Sequence, residues 1–222
     1  MTSTSSSPTL DPTTWDADDP RSVYARAHAT ASGVVAGITA AQMTQPTPCD
    51  EYDVRHLLGH LLSVAHRVRN VGRGESPYSV NELITGVPDD GWSDEWAAVG
   101  HEIGEAWADD ATLDRIVELP WATLPGSATL IMWSSELTVH TWDLATATGQ
   151  QPEWDDSVLT PAFAAIQQGL PKEGRIEAFE AARANMPQGQ EDFAYPFKAA
   201  VEVPDDAPLI DRLVAWNGRD PR

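Results

Sequence analysis

Residues 53–74 read DVRHLLGHLLSVAHRVRNVGRG. Leu57, Leu58, Leu61, Leu62, Ala65 and Val68 return every three or four positions, the spacing of an α-helix that buries one face. Asp53 stands where a side-chain oxygen can accept from the first free amides, and Gly72 and Gly74 supply the stop. The helix cannot cover such a stripe by itself, so this stretch demands further helices packed against it.

Upstream, Asp18-Asp19-Pro20-Arg21 is an acidic cap followed by a first-turn proline. Val23, Ala27, Ala31, Val34, Val35 and Ile38 carry a helical pattern from there to about Ala40. A proline-rich loop, residues 45–50, joins the two helices. Downstream, residues 72–91 are rich in Gly, Pro and Ser and read as a long crossing connection. A third helix is expected over Ser93 to Ala108, with Trp96, Val99, Ile103 and Trp107 inward. Arg115 to Leu119 reads as a short extended stretch, and Pro120, Pro125 and Gly126 bracket a turn. Ser127 is placed to cap a fourth helix from Ala128 to Thr148, ended by Gly149. A weaker helix is expected at Ser157 to Gly169, mostly irregular chain over 171–205, and a last short helix from Pro208 to Trp216. The fold expected is therefore mainly all-α. A disordered Ser/Thr-rich leader spans 1–17, a four-helix bundle spans 18–150 with its long connection between the second and third helices, and a short irregular C-terminal extension, 151–222, packs on the bundle.

The formal charge of −20 repels phosphate backbones and anionic lipid, so neither nucleic acid nor membrane is expected as a partner. No apolar run approaches the roughly 20 residues that cross a bilayer. The first residues lack a basic segment followed by an apolar one, so a secretory signal is not expected and a cytoplasmic location is. Cys49 is the single cysteine, which excludes an internal disulfide and a thiolate metal cage. A homodimer is compatible with this composition.

Glu136 and His140 are four apart on the fourth helix and share one face, on or near which Thr129, Trp133, Asp143, Leu144 and Ala147 also fall. A carboxylate and an imidazole on an apolar, aromatic stripe need a partner, because buried charge is costly alone. A shared metal ion is one answer and a Glu–His hydrogen bond is another. His60 borders the leucine face of the second helix, as a satisfied core histidine or as a ligand. His56, one turn before it, is the rival, while His66 points elsewhere, toward solvent. The run His101-Glu102-Ile103-Gly104-Glu105 resembles half of a zinc-protease motif but lacks the second histidine, and reads as surface electrostatics. No phosphate-binding loop and no nucleophile elbow is present.

The stretch from Thr47 through Leu61 resembles the opening of the second helix in the DinB-like, mycothiol-dependent maleylpyruvate isomerase N-terminal domain family. Glu136-Leu137-Thr138-Val139-His140-Thr141-Trp142-Asp143-Leu144-Ala145 with Gly149 is similar to that family's second signature. Val203-Pro204-Asp205-Asp206-Ala207-Pro208-Leu209 through Gly218-Arg219-Asp220-Pro221 resembles the tail of its short actinobacterial metal-binding members. The resemblance implies a DinB-like bundle holding one divalent metal, usually zinc, with His60, Glu136 and His140 as ligands. It also implies a metal-dependent enzyme that uses a small-molecule thiol and an electrophilic substrate, as an S-transferase or isomerase. The Arg-rich, Lys-poor composition suggests an actinobacterial source and hence mycothiol as the thiol. Arg67 would contact the thiol or substrate, and Trp133 would line its site. The C-terminal part is short and does not match the isomerase's second domain. Two other readings stand beside this one: a non-catalytic metal-binding module, structural or partner-binding in the manner of anti-sigma factors, and a metal-dependent hydrolase.

Overall fold

The Asp53 carboxylate accepts from the amide of His56 at 2.9 Å and opens a helix at Val54. That helix is the second of the chain. The structure is a computed structural model that describes residues 10–119, 122–175 and 198–222, with 177 and 180. Helix α1 is Pro20–Gly37, capped by Asp19; α2 is Val54–Arg73, closed by Gly74 in the left-handed region at φ 77°. The last carbonyls of α2, those of Val71 and Gly72, accept from the Arg115 guanidinium at 3.1 and 2.8 Å, a cation placed at the negative end of the helix. Helix α3 is Trp92–Ala106, and the Trp107 indole just beyond it donates to the Val68 carbonyl at 2.9 Å, pinning α3 to α2.

A four-residue helix, α4 (Ala111–Asp114), leads into strand β1 (Ile116–Leu119), which pairs antiparallel with β2 (Ala122–Pro125). The extended reading of 115–119 corresponds to β1, whereas α4 and β2 are additions. Of the residues expected to bracket the turn, Pro120 lies outside the described residues. Helix α5 is Gly126–Thr148, ended by Gly149 at φ 72°. Ser127 does not cap it. Pro125 pairs with Ile116, and the Gly126 amide donates to the Arg115 carbonyl at 2.8 Å, so the helix starts two residues earlier than expected, directly from the hairpin.

Helix α1 packs on α3 and α5, and α2 packs on α3 and α5, which makes the four-helix bundle. Its core joins Tyr24, Val34, Leu57, Leu61, Val68, Trp96, Ile103, Leu130, Trp133, Leu137 and Leu144. Helix α6, Asp156–Gly169, and helix α7, Leu209–Trp216, pack together, and both also pack on α5. A second apolar cluster forms there from Val139, Leu159, Phe163, Ile210, Leu213 and Val214. Buried on two sides, α5 disposes of its hydroxyls locally. Thr129, Ser134, Thr138, Thr141 and Thr148 each donate to the carbonyl four residues back.

Of the expected leader, residues 1–9 lie outside the described residues, whereas Leu10 packs on the core and the Ser22 hydroxyl donates to the Pro12 carbonyl. The expectation for 171–205 also falls largely outside them. Among the described residues, no helix is long and apolar enough to cross a membrane.

Candidate metal centre

Helix α2 contributes His60 and helix α5 contributes Glu136 and His140, and one ligand atom of each lies within 4.8 Å of the others. His60 Nε2 stands 3.4 Å from Glu136 Oε1, and the two imidazole rings meet edge to face with centroids 5.0 Å apart. A charge-assisted N–H···O bond closes to about 2.7–2.9 Å. Two ligands on one tetrahedral zinc, at bond lengths of about 2.0–2.1 Å, stand roughly 3.4 Å apart. The separation thus suits a shared cation better than a direct bond. Distance alone does not decide it, because His101 and Glu105 show the same 3.4 Å on the surface. The third donor, His140, and the burial of the two histidines are what set this group apart from that surface pair. His60 and His140 keep 12% and 13% of their side-chain surface, while Glu136 keeps 35% and so forms the wet edge of the cluster. That edge is where a ligand from solution can enter.

The charge states suit a cation. Burial pushes the His140 pKa down in spite of its hydrogen bond with Asp143, so the ring is neutral, as ligation requires. Burial alone would raise Glu136, but close contact with His60, together with the neighbouring His140 and Arg67, outweighs it and holds the carboxyl below its usual range. His56 is not part of the cluster. It is half exposed and its Nδ1 lies 2.7 Å from Asp53 Oδ1. His66 is half-buried, with an unpartnered Nδ1, and not solvent-facing as the helical wheel implied.

Several groups around the cluster carry no local signal in the sequence. The Tyr52 ring stacks on His60, centroids 5.4 Å apart, held by the loop before α2. Thr47 stitches that loop, its hydroxyl bonding the carbonyls of Cys49 and Tyr52. Tyr24 on α1 is buried, its hydroxyl has no hydrogen-bond partner among the described residues, and burial together with the charge of Glu136 raises its pKa. Burial raises the Tyr78 phenol to about 12, with Arg67 opposing and Glu136 reinforcing the shift. Arg67 acts on the same carboxylate, and its Nε has no hydrogen-bond partner among the described residues. Trp133 keeps only 4% of its surface, packed in the main core.

Cys49, His140 and Asp143 form a second group of donors within 4.8 Å. It is the poorer cation site. Arg219 Nη2 and His140 Nδ1 contact Asp143 Oδ2 at 2.8 and 3.0 Å, and Arg219 Nε contacts Oδ1 at 3.2 Å, so both oxygens already serve a guanidinium. The Cys49 thiol, pushed up to about 11 by burial, stays protonated at neutral pH.

The sequence also matches known proteins. Two curated proteins of Mycobacterium tuberculosis, the uncharacterized protein MT0763 of strain CDC 1551 / Oshkosh and the uncharacterized protein Rv0738 of strain ATCC 25618 / H37Rv, are each 27% identical to the chain. Each match runs over 206 residues, covering 92% of this chain and 100% of the relative. No solved structure gives a significant match. Residues 24–145, more than half of the chain, match the family described as the mycothiol maleylpyruvate isomerase N-terminal domain. The matched segment carries His60, Glu136 and His140, the three donors that the helices bring together, and the chain belongs to that family.

Proposed function

We propose that the chain is a metal-dependent enzyme that uses mycothiol, a low-molecular-weight thiol, as an S-transferase or isomerase acting on an electrophilic small molecule. The observation that carries this reading is the convergence of His60, Glu136 and His140 in a cluster that is exposed to solvent on the Glu136 side. The family match supports the choice of thiol.

The donor set fits a zinc-like dication. Two neutral imidazoles and one carboxylate carry a single negative charge, so with a dication the site is net positive and receives an anionic ligand. A dication held by His60, Glu136 and His140 would have room for a further ligand from solution. When bound, the dication lowers the pKa of a thiol that reaches it, so that the sulfur is presented as a thiolate nucleophile. The thiol proton leaves to water past Glu136. Arg67 meets a carboxylate of the thiol or substrate, and the Tyr24 hydroxyl adds a neutral donor. The chain's own sulfur takes no part, because the Cys49 thiol is held protonated.

The test uses full-length protein purified without a histidine tag. Metal analysis should give about one equivalent of divalent ion per chain. In cobalt-substituted protein, added mycothiol should shift the visible spectrum, and the protein should consume an electrophile such as maleylpyruvate only in the presence of thiol. Metal binding with no response to any thiol would favour a non-catalytic module, and absence of bound metal would end the proposal.

A further inference from the structure

We infer that Arg219, in the C-terminal extension, is a positioning residue for the candidate metal centre: its guanidinium locks Asp143, and Asp143 holds the His140 ring with Nε2 free for the cluster. The inference rests on the reading of His140 as a metal ligand. Arg219, the residue that carries it, lies outside the ligand set and outside the segment matched to the family, residues 24–145.

The chain of contacts is continuous. His140 Nδ1 lies 3.0 Å from Asp143 Oδ2, one turn further along α5. With Nδ1 so engaged, Nε2 is the ring nitrogen left to face a ligand. Asp143 is fully buried, and Arg219 grips it with two nitrogens, Nη2 on Oδ2 at 2.8 Å and Nε on Oδ1 at 3.2 Å. With two guanidinium nitrogens on its oxygens, Asp143 faces His140 as an acceptor.

Arg219 is itself placed by the end of α7. Gly218 sits at φ 82°, its amide donates to the Ala215 carbonyl, and the Arg219 amide reaches back to Val214, both at 3.0 Å. These are the two crossed bonds of a Schellman turn, with Arg219 as the residue just past the left-handed glycine. Such a turn reverses the chain and throws that side chain back toward the bundle. Arg219 Nη1 also bonds the Asn217 carbonyl at 2.8 Å, which fixes the guanidinium plane. Among the described residues His60 has no such support: its buried Nδ1 has no hydrogen-bond partner there, and its ring stacks on Tyr52. Among the described residues, the extension therefore reaches the ligand set through His140. Outer groups of this kind fix the tautomer and orientation of a ligating histidine and raise metal affinity about 10–100-fold.

The experiment compares wild type with Arg219→Lys, Arg219→Met and Asp143→Asn, each checked for helical content by circular dichroism. Two signals are read: cobalt affinity by competition with a chromophoric chelator, and the His140 tautomer in metal-free protein by long-range 1H–15N spectra. The wild type should show one His140 tautomer, protonated at Nδ1, and Arg219→Met should show a mixture. Cobalt affinity should fall at least about 10-fold in Arg219→Met and Asp143→Asn, and less in Arg219→Lys, which keeps the charge but not the fork. Folded Arg219 variants with wild-type affinity and a wild-type tautomer would overturn the inference. If wild type bound no cobalt, the functional proposal would fall, while the tautomer of the metal-free protein would still decide whether Arg219 and Asp143 set the ring.

Discussion

His28 of α1 and Trp96 of α3 lie face to face, ring centroids 4.6 Å apart and 11° from parallel. The Trp96 indole donates to the Ser32 hydroxyl at 3.0 Å, and that hydroxyl donates to the His28 carbonyl at 2.8 Å, so the stack is stitched at its edge. His28 Nε2 is buried with no hydrogen-bond partner among the described residues, and burial lowers the ring's pKa to about 4 from 6.5. The unfolded chain takes the proton near 6.5 and the folded chain resists until near 4. The contribution of the neutral ring is therefore fully present above about pH 6.5. It is lost as the pH falls toward 4, up to a limit on the order of 3 kcal/mol. Urea midpoints should fall over that window in the wild type and fall less in His28→Phe, which keeps an aromatic stack. Carboxylates titrate in both proteins, so the difference between the two slopes is the measurement, and equal slopes would contradict the argument.

Gly59 precedes His60, and the Ile84 amide of the long connection donates to its carbonyl at 3.1 Å. A Cβ on Gly59 would run into the Ile84 carbonyl oxygen. An alanine in place of a mid-helix glycine ordinarily stabilises by about 1 kcal/mol. Here the sign should reverse, with a loss of about 1–3 kcal/mol from the displaced backbone, measured as a lower thermal midpoint. A gain would mean that the connection does not rest on α2 beside the candidate ligand.

The ligand assignment separates residues that look alike in the sequence. His60→Ala, Glu136→Gln and His140→Ala should each lower metal affinity by more than the roughly 100-fold that outer groups can cost. His56→Ala, which removes a side chain bonded to Asp53 near the start of α2, and His101→Ala, on the exposed face of α3, should leave occupancy unchanged. Elemental analysis after dialysis against a weak chelator reads all five. Retained metal in His140→Ala would break the assignment.

The helices were legible because their signals are local: Asp19 and Asp53 as caps, Gly74 and Gly149 as stops, and a clean apolar stripe on α2. Glu136 and His140 were legible for the same reason, being one turn apart on one face. The choice of His60 over His56 came only from the family resemblance, since the second helix presents both on nearly the same stripe. Ser127 misled because the pairing of Pro125 with Ile116, a tertiary contact, sets where α5 begins. Asp143 and Arg219 are 76 positions apart, and Tyr52 meets His60 through a stitched loop. No periodicity reports contacts of that kind; they exist only once the chain has folded back on itself.

Stability and metal affinity should part company at Asp143. The carboxylate is fully buried and Arg219 nearly so, and removing one member of a buried pair typically costs about 3–5 kcal/mol because the other charge is left uncompensated. Arg219→Met should therefore lower the free energy of urea unfolding by about that amount. Replacing both, as Asp143→Leu with Arg219→Met, exchanges a buried ion pair for apolar packing and should restore much of the loss. It cannot restore an acceptor for His140 Nδ1, so cobalt affinity should stay low in the double variant although the fold has recovered. If affinity rose in step with stability, the pair would be a structural clasp alone, and His140 would be oriented by something other than Asp143.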